Sequence, residues 1–329
     1  MFPSDHPGHR LRFLLAVCCI AVPLVALASC SRSAAKGGPG QLVLKGRSEA
    51  AAARRPTIVA TYAILASIAR EVAGPDAAVV DMIPNGLDPH EWEPSARDVE
   101  TLMHADLVVA NGLGLEGGME RALSQARASG RRFFTAADHI QVRRVGQGEG
   151  IPSGDPDQAL GAEDPHFWTD PLAVKAVADA LASELKADFG IDASARAAAF
   201  DASLLSLDKD VRAMCDTIPA PRRVMVTGHE SLGYFAQRYG FRLIGALVPS
   251  LSSEAEVSAS WLSTLKGLIE RAGTKVIFTE LGTPRQVVDT LATETGARAV
   301  PLVTHALPES GSYLEFERNL ATTITESLR

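Results

Sequence analysis

The sequence contains few cysteines and no apolar run long enough to cross a membrane. Only 4 of its 329 residues are Cys, and Cys18, Cys19 and Cys30 lie close to the start of the chain. Because Cys215 alone remains beyond them, no internal disulfide framework holds the folded part together, and its core must be stable without one. The absence of an apolar run of roughly 18 residues excludes a polytopic membrane protein.

Basic and aromatic residues are also scarce. Lys and Arg total 32 against 39 Asp and Glu, a formal net charge of −7, and aromatic residues make up 5%. A net acidic chain without a long Lys/Arg run is not expected to bind nucleic acid. Hydrophobic residues at 46% and charged residues at 22% exclude a wholly disordered chain. At roughly 150 residues per domain, the length predicts about two domains.

The first thirty residues have the features of an export signal. Arg10 and Arg12 precede the apolar segment Phe13–Ala28, and Leu-Ala-Ser stands directly before Cys30. Small residues before a Cys resemble the lipobox of bacterial lipoproteins, which implies cleavage before Cys30 and a lipid on its thiol. We therefore expect an extracytoplasmic protein that a lipid at Cys30 anchors to the cell membrane. The alternative is an ordinary signal peptide that happens to end at a Cys.

Short apolar segments alternate with helix-length segments along the rest of the chain. Eight of them read as strands: Thr57–Ala63, Ala77–Pro84, Asp106–Asn111, Arg132–Ala136, Arg223–Thr227, Arg242–Val248, Lys275–Glu280 and Arg298–Val303. Continuous apolar strands separated by helices are typical of parallel sheets that are covered on both faces. Four strands in each half predict an α/β fold with two similar lobes.

Two helices are predicted between the lobes. Asp170–Phe189 has Pro171 at its first helical position and stops at Gly190. A longer helix, capped by Asp192 and ending before Pro219, carries one apolar stripe, so we expect a stiff connector. The predicted segments are a lipoprotein signal peptide (1–29), a flexible tether (30–55), an N-terminal lobe (56–190), a connecting helix (191–217) and a C-terminal lobe (218–329).

Four histidines of the sequence occupy positions that favour a binding site. The phrase Asp-Pro-His-x-Trp occurs twice, around His90 and His166, and Pro fixes the turn that carries each histidine. His229 and His305 each follow a predicted strand, and carboxyl ends of parallel strands form the usual ligand edge. Two histidines from each half predict a metal site between the lobes.

Other histidines and motifs have ordinary interpretations. His104 lies in a predicted helix and His139 at the start of the long loop Gln141–Glu163, and neither is expected to bind metal. Gly112–Gly117 matches G-x-G-x-x-G, but it follows the third strand of its lobe, whereas a dinucleotide fingerprint follows the first. The segment His229–Gly233 begins like H-E-x-x-H but lacks the second His.

Several phrases together resemble a known family, the metal-specific solute-binding proteins of bacterial ABC importers for zinc and manganese. They are IVATYAILASIAREVAG, MIPNGLDPHEWEPSARDVETLMHADLVVANGLGLE, DPHFWTDP, VTGHESLGYFAQRYG, KVIFTELGTPRQVVDTLATETGARAVPL and GSYLEF. The resemblance extends over about Thr57–Leu328. It implies two (β/α)₄ lobes with parallel sheets, joined by one long rigid helix, with the metal held in the cleft between them.

The resemblance also implies the ligands. His90 and His166 match the two family histidines of the first lobe, and His229 matches the third ligand. His305 stands where the family commonly has Asp, so either His305 replaces that ligand, or water or a carboxylate such as Glu280 or Glu230 completes the site. Imidazole nitrogen suits Zn²⁺, whereas Mn²⁺ prefers oxygen, so zinc is favoured and manganese is the alternative cargo.

The predicted function is capture of a metal ion for transport, without catalysis. We expect a monomeric, lipid-anchored receptor that binds a divalent transition metal, most simply Zn²⁺, and delivers it to an ABC permease driven by its ATPase. A manganese-specific receptor of the same family is one alternative. A different class of protein, an exported zinc hydrolase with Glu230 or Glu280 as its base, is another.

Overall fold

A computed structural model describes residues 54–146 and 160–329 of the chain. The predicted signal peptide, Cys30, nearly all of the predicted tether and much of the predicted long loop therefore lie outside the described residues. The two ends of that loop pair with each other, because Arg144 and Glu163 form an antiparallel bridge and the Val145 amide donates to the Ala162 carbonyl. Among the described residues, no helix combines the length and apolarity needed to cross a membrane.

The first half of the chain builds a four-stranded parallel sheet in the order β2-β1-β3-β4. Its strands are β1 Thr57–Tyr62, β2 Ala78–Ile83, β3 Leu107–Ala110 and β4 Phe133–Thr135. Helices α1 Ala63–Ala73, α2 Ala96–Met103 and α3 Glu120–Ala128 connect them. β1 is central and Ile58–Tyr62 are buried, as expected for a strand with helices over both faces. These elements are called the first lobe below.

The second lobe contains four strands that pair two by two. β5 Val224–Thr227 runs parallel to β6 Arg242–Ala246, and β7 Val276–Thr279 runs parallel to β8 Arg298–Pro301. The helices of this lobe are α6 Gly233–Tyr239, α7 Ala259–Ala272, α8 Arg285–Thr295 and α9 Tyr313–Leu328. β5 and β7 are neighbours, but the two strand pairs remain separate ladders. The four strands of the first lobe, in contrast, form one continuous sheet. All eight predicted strands are present, each within a few residues of its predicted ends.

Two long helices lie between the lobes in the chain. α4 spans Pro171–Phe189, and the Asp170 carboxylate accepts a hydrogen bond from the Leu172 amide at its start. α5 spans Ser194–Asp216 with Ala193 at its cap position, so the predicted cap at Asp192 is one residue too early. The Asp192 carboxylate accepts from the Ser194 amide and hydroxyl instead.

α5 forms the rigid connection between the lobes. Its buried face is continuous: Ala197, Phe200, Leu204, Leu207, Val211 and Cys215. It packs on α1 and α4 and also on α9 of the second lobe. One large apolar cluster therefore runs from the first sheet through α4 and α5 into α6 and α9, and a smaller cluster lies under α7 and α8. A helix packed along its length in a dense core is a stiff connection.

Candidate metal centre

The two Asp-Pro-His phrases fold into the same turn. The Asp88 Oδ1 atom accepts from the His90 amide at 2.9 Å, and Asp164 Oδ1 accepts from the His166 amide at the same distance. An Asp side chain that bonds the backbone two residues on closes an Asx turn. The repeated phrase is thus one local structure used twice, and each copy carries a histidine to the edge of the first lobe.

The first sheet holds the second turn in place. Asn111 directly follows β3, and its side-chain amide donates to the Pro165 carbonyl at 3.0 Å. The Tyr62 hydroxyl, at the end of β1, donates to Asn111 Oδ1 at 2.8 Å. His166 is therefore fixed at the carboxyl edge of the central strands, where ligands of α/β sheets bind.

All four predicted histidines meet at one point. His229 follows β5 and His305 follows β8, so the second lobe contributes both from carboxyl ends of strands. The exposed fractions are 4% for His90, 0% for His166, 2% for His229 and 5% for His305. One ring nitrogen from each lies within 4.8 Å of the others. The structure thus places a buried cluster of imidazoles between the lobes.

The spacing of the ring nitrogens matches a metal ion. His166 Nε2 lies 3.2 Å from His90 Nε2 and 3.2 Å from His229 Nε2. Zn–N bonds of about 2.0–2.1 Å in a tetrahedron separate neighbouring ligand atoms by about 3.3–3.4 Å. Three histidines therefore already stand close to the positions of tetrahedral ligands.

Acidic side chains accept a hydrogen bond from the Nδ1 atom of two of these rings. His166 Nδ1 lies 2.9 Å from Asp164 Oδ1, and His229 Nδ1 lies 3.1 Å from Glu280 Oε2. A carboxylate accepts, so each Nδ1 carries the proton and each Nε2 presents a lone pair; this tautomer is assigned from the hydrogen bonds. Carboxylates behind ligating histidines fix the ring and make the ligand more basic.

A threonine sets the tautomer of His305. The Thr304 hydroxyl lies 2.9 Å from Glu280 Oε2 and 2.9 Å from His305 Nδ1. The single hydroxyl proton goes to the carboxylate, which can only accept, so the threonine oxygen must accept the His305 Nδ1 proton. His305 Nε2 is left as a lone pair, and it has no hydrogen-bond partner among the described residues.

Glu280 organises the second-lobe half of the cluster. Besides His229 and Thr304, it accepts from the Ser231 hydroxyl at 2.6 Å and the Gly228 amide at 3.0 Å. Both Glu280 oxygens thus accept hydrogen bonds on the side of the histidines that lies away from the Nε2 atoms. Burial alone raises the pKa of Glu280, but His229 and these hydrogen bonds bring that pKa to about 2.

Burial keeps three of the imidazoles neutral. It lowers the pKa of His90 and of His166 well below the usual range, and the neighbouring histidines lower both further. Burial, then His229, lowers the pKa of His305 to about 4. His229 differs: burial lowers its pKa, but the Glu280 carboxylate outweighs burial, so the pKa of His229 is raised. Neutral imidazole is the form that binds a metal.

A buried arginine stands behind Asp164. Arg143 Nη1 lies 3.1 Å from Asp164 Oδ2, and the Tyr234 hydroxyl accepts from the Arg143 amide at 2.9 Å. A Cβ atom at Gly233, the first residue of α6, would clash with both members of this ion pair. Glycine therefore lets the second lobe approach the His166 turn closely.

The remaining sequence-predicted residues lie elsewhere. His104 caps the end of α2, with Nδ1 at 2.8 Å from the Glu100 carbonyl, and His139 stacks on Phe134 at a centroid distance of 4.5 Å. Both are exposed and outside the cluster. Glu230 is half-buried, and its amide donates to the Ser250 carbonyl.

Several supporting residues have no assigned role in the sequence analysis. They are Asp88, Asn111, Arg143, Asp164, Ser231, Trp168 and Thr304. The repeated Asp two residues before each His is a visible signal, because Asp in that position commonly closes an Asx turn. Arg143, Ser231 and Thr304 leave no such signal, since each acts on a residue brought close only by folding.

The fold and the site together define a two-lobed metal-binding protein. The profile of one family, described as ZnuA, zinc-uptake complex component A, periplasmic, matches residues 58–327. The chain belongs to this family of solute-binding proteins of metal ABC importers. It is thus a transport protein, and the hypothesis of an exported zinc hydrolase is set aside. The predicted family and fold class are confirmed.

Individual relatives differ in the metal of their names. The zinc-binding protein TroA of Treponema pallidum is 33% identical over 261 residues, which cover 77% of this chain and 79% of the relative. The manganese ABC transporter substrate-binding lipoprotein PsaA of Streptococcus pneumoniae is 27% identical over 260 residues, covering 75% and 79%. A solved structure of TroA from T. pallidum superposes with a TM-score of 0.73 at 28% identity, covering 84% of this chain and 99% of that one.

Proposed function

We propose that this protein captures Zn²⁺ outside the cytoplasm and delivers it to the permease of an ABC importer. One observation carries the proposal: His166 Nε2 lies 3.2 Å from His90 Nε2 and 3.2 Å from His229 Nε2, close to the spacing of tetrahedral ligands. When the rings are neutral, the Nε2 lone pairs of His166 and His229 face each other, and a bound cation would offset their repulsion. His305 is the proposed fourth ligand.

The choice of zinc over manganese rests on the donor atoms. Four imidazoles offer nitrogen only, and the Asp164 and Glu280 carboxylates bond to the far side of the rings. Nitrogen donors suit Zn²⁺, whereas Mn²⁺ prefers oxygen. Among relatives, the names of TroA and PsaA specify zinc and manganese respectively, so the donor set of this chain is the argument for zinc.

Direct competition between metals tests this proposal. The metal-free protein is titrated with Zn²⁺, Mn²⁺, Cu²⁺ and Ni²⁺ against chelators of known affinity. We expect one ion per chain and zinc bound more tightly than manganese by at least about 100-fold, since the site offers Mn²⁺ no first-choice ligand. Equal affinities for zinc and manganese contradict the assignment of the cargo. Binding of no divalent metal contradicts the function.

We further propose that a lipid on Cys30 anchors the receptor as a monomer, with residues 31–55 as a tether. Such a flexible tether of 25 residues spans roughly 25–30 Å, which lets the folded part reach a permease in the same membrane. Cys30→Ala should release the protein from the membrane or leave it unprocessed. Equal incorporation of labelled lipid into the wild type and Cys30→Ala contradicts the anchor.

A further inference from the structure

The ring of His305 lies farther from His90 and from His166 than those two rings lie from each other. Its ring centroid lies 6.1 Å from those of His90 and His166, which lie 5.3 Å from each other, and 5.4 Å from that of His229. His305 lies in the segment between β8 and α9, which has no regular structure. Completion of a four-ligand site therefore depends on where this segment is held.

Two side chains of the first half of the chain hold the segment on either side of His305. Trp168 Nε1 donates to the Thr304 carbonyl at 2.9 Å. Asn85 makes two bonds to Leu307: its Nδ2 donates to the Leu307 carbonyl at 3.0 Å, and its Oδ1 accepts from the Leu307 amide at 2.8 Å. The backbone that carries His305 is thus attached across the cleft at both ends.

The two attachments differ in how easily they can open. Trp168 is fully buried and packs against Tyr62 and His166, so its release would disrupt the core and a ligand together. Asn85 is exposed, in the turn after β2 where the Leu87 amide donates to the Pro84 carbonyl. Because Asn85 itself is exposed, water can compete for both of its bonds to Leu307.

We propose that Asn85 is a positioning residue, a latch across the cleft that holds His305 against the bound ion and slows release of the ion. The inference rests on the proposed function, since it concerns the same metal. Asn85 does not touch the ion; it acts through Leu307 on the backbone two residues from His305. Opening of the latch frees one ligand and leaves the other three in place.

The rate of metal release tests the latch. The full chain, purified in detergent and loaded with zinc, is mixed with excess chelator, and the dissociation rate is measured for wild type and Asn85→Ala. One net hydrogen bond changes an equilibrium by roughly 2- to 13-fold, and both bonds compete with water, so we expect release about 5- to 30-fold faster. The association rate should change by less than about twofold. Asn319→Ala, an exposed asparagine of α9, should release zinc at the wild-type rate.

A double-mutant cycle distinguishes a latch on His305 from a general tie between the lobes. In the His305→Ala background, Asn85→Ala should accelerate release by less than about twofold, because coupled residues lose their separate effects. The absorption spectrum of the Co²⁺-loaded Asn85→Ala protein should shift toward that of His305→Ala. The cobalt spectrum reports the ligands directly, so a purely structural weakening would not produce this shift.

The possible results of these experiments distinguish failure of the latch from failure of the proposed function. If wild type binds zinc but Asn85→Ala releases it at the wild-type rate, the latch is wrong and the receptor function stands. The same holds if the acceleration persists in full without His305. If wild type binds no metal, the proposed function is overturned and the latch with it.

Discussion

The Nε2 atoms of His166 and His229 lie 3.2 Å apart, although 63 residues separate them in the chain and they come from opposite sides of the cleft. Each ring has a carboxylate on its other nitrogen, Asp164 for His166 and Glu280 for His229. Each carboxylate lies on the same side of the cleft as its histidine. Each side therefore prepares its own ligand, and only contact across the cleft brings the ligands together.

The first prediction concerns the proposed ligands. His90→Ala, His166→Ala and His229→Ala should each weaken zinc binding by at least tenfold, because loss of a ligand should exceed the 10- to 100-fold typical of losing a supporting group. Chelator competition measures the change. His104→Ala and His139→Ala, both exposed, are the controls and should change affinity by less than about twofold. Similar losses of zinc affinity in all five variants would contradict the assignment of the histidine ligands.

The second prediction concerns pH. The pKa values of His90, His166 and His305 are lowered, so these rings are already neutral at pH 7, whereas the pKa of His229 is raised. Zinc must therefore displace about one proton near neutrality, and affinity should rise with pH by about tenfold per unit until His229 is neutral. Toward pH 4, where His305 titrates, zinc affinity should depend more steeply on pH.

Glu280→Gln provides the matched control for the pH experiment. The amide keeps the shape but removes the charge that raises the pKa of His229. The affinity of this variant should depend less on pH between about 6 and 8, because His229 is then neutral throughout. Zinc dissociation constants measured from pH 5 to 8 test both proteins. A dependence of several protons at pH 6 to 7 in the wild type contradicts the assigned pKa directions.

The third prediction concerns metal preference. His305→Asp places an oxygen ligand and a negative charge where the chain has imidazole, so manganese affinity should rise relative to zinc affinity. His305→Ala should weaken zinc and leave a position for water. Parallel titrations of the wild type and both variants with zinc and manganese give the answer. If all three proteins show the same pair of affinities, His305 is not a ligand.

The fourth prediction concerns stability away from the metal. Glu317 on α9 is fully buried, and neither carboxyl oxygen has a hydrogen-bond partner among the described residues. Burial, then Asp170 and Asp208, raises its pKa well above the usual value. The folded state thus prefers the protonated acid, and its stability falls as pH rises above about 4.5, where the unfolded chain ionises.

Glu317→Gln should remove this pH-dependent loss. At pH 7.5 we expect a gain of about 1–3 kcal/mol in the free energy of unfolding, the scale of one unsatisfied buried polar group, and little change at pH 4. Thermal unfolding of the metal-free protein at both pH values measures it. Glu326→Gln, an exposed glutamate of the same helix, should change stability by less than about 0.5 kcal/mol. A larger gain at pH 4 than at pH 7.5 would contradict the sign of the shift.

Much of the architecture follows from local patterns. The apolar segments that predict strands become β1 to β8. In β3 and β5 every residue is buried, as expected for strands covered on both faces. Helix boundaries are predicted to within a residue or two where Pro and Gly mark them, as at Pro171 and Gly190. The pairing of the second-lobe strands into two ladders depends on long-range packing and leaves no local pattern.

Neighbouring residues encode the eight strands, the two long helices and the turns that carry His90 and His166, because hydrophobic periodicity and turn-forming phrases are local signals. The positions of the second-lobe histidines, in contrast, depend on contacts between residues far apart in the chain. Glu280 reaches His229, and through Thr304 also His305, while Asn85 meets Leu307 across 222 residues of chain. Such contacts depend on the folded distance between side chains, which no spacing along the chain records. The contacts of Glu280 set which nitrogen of His229 and of His305 is free, whereas for His166 the nearby Asp164 does so.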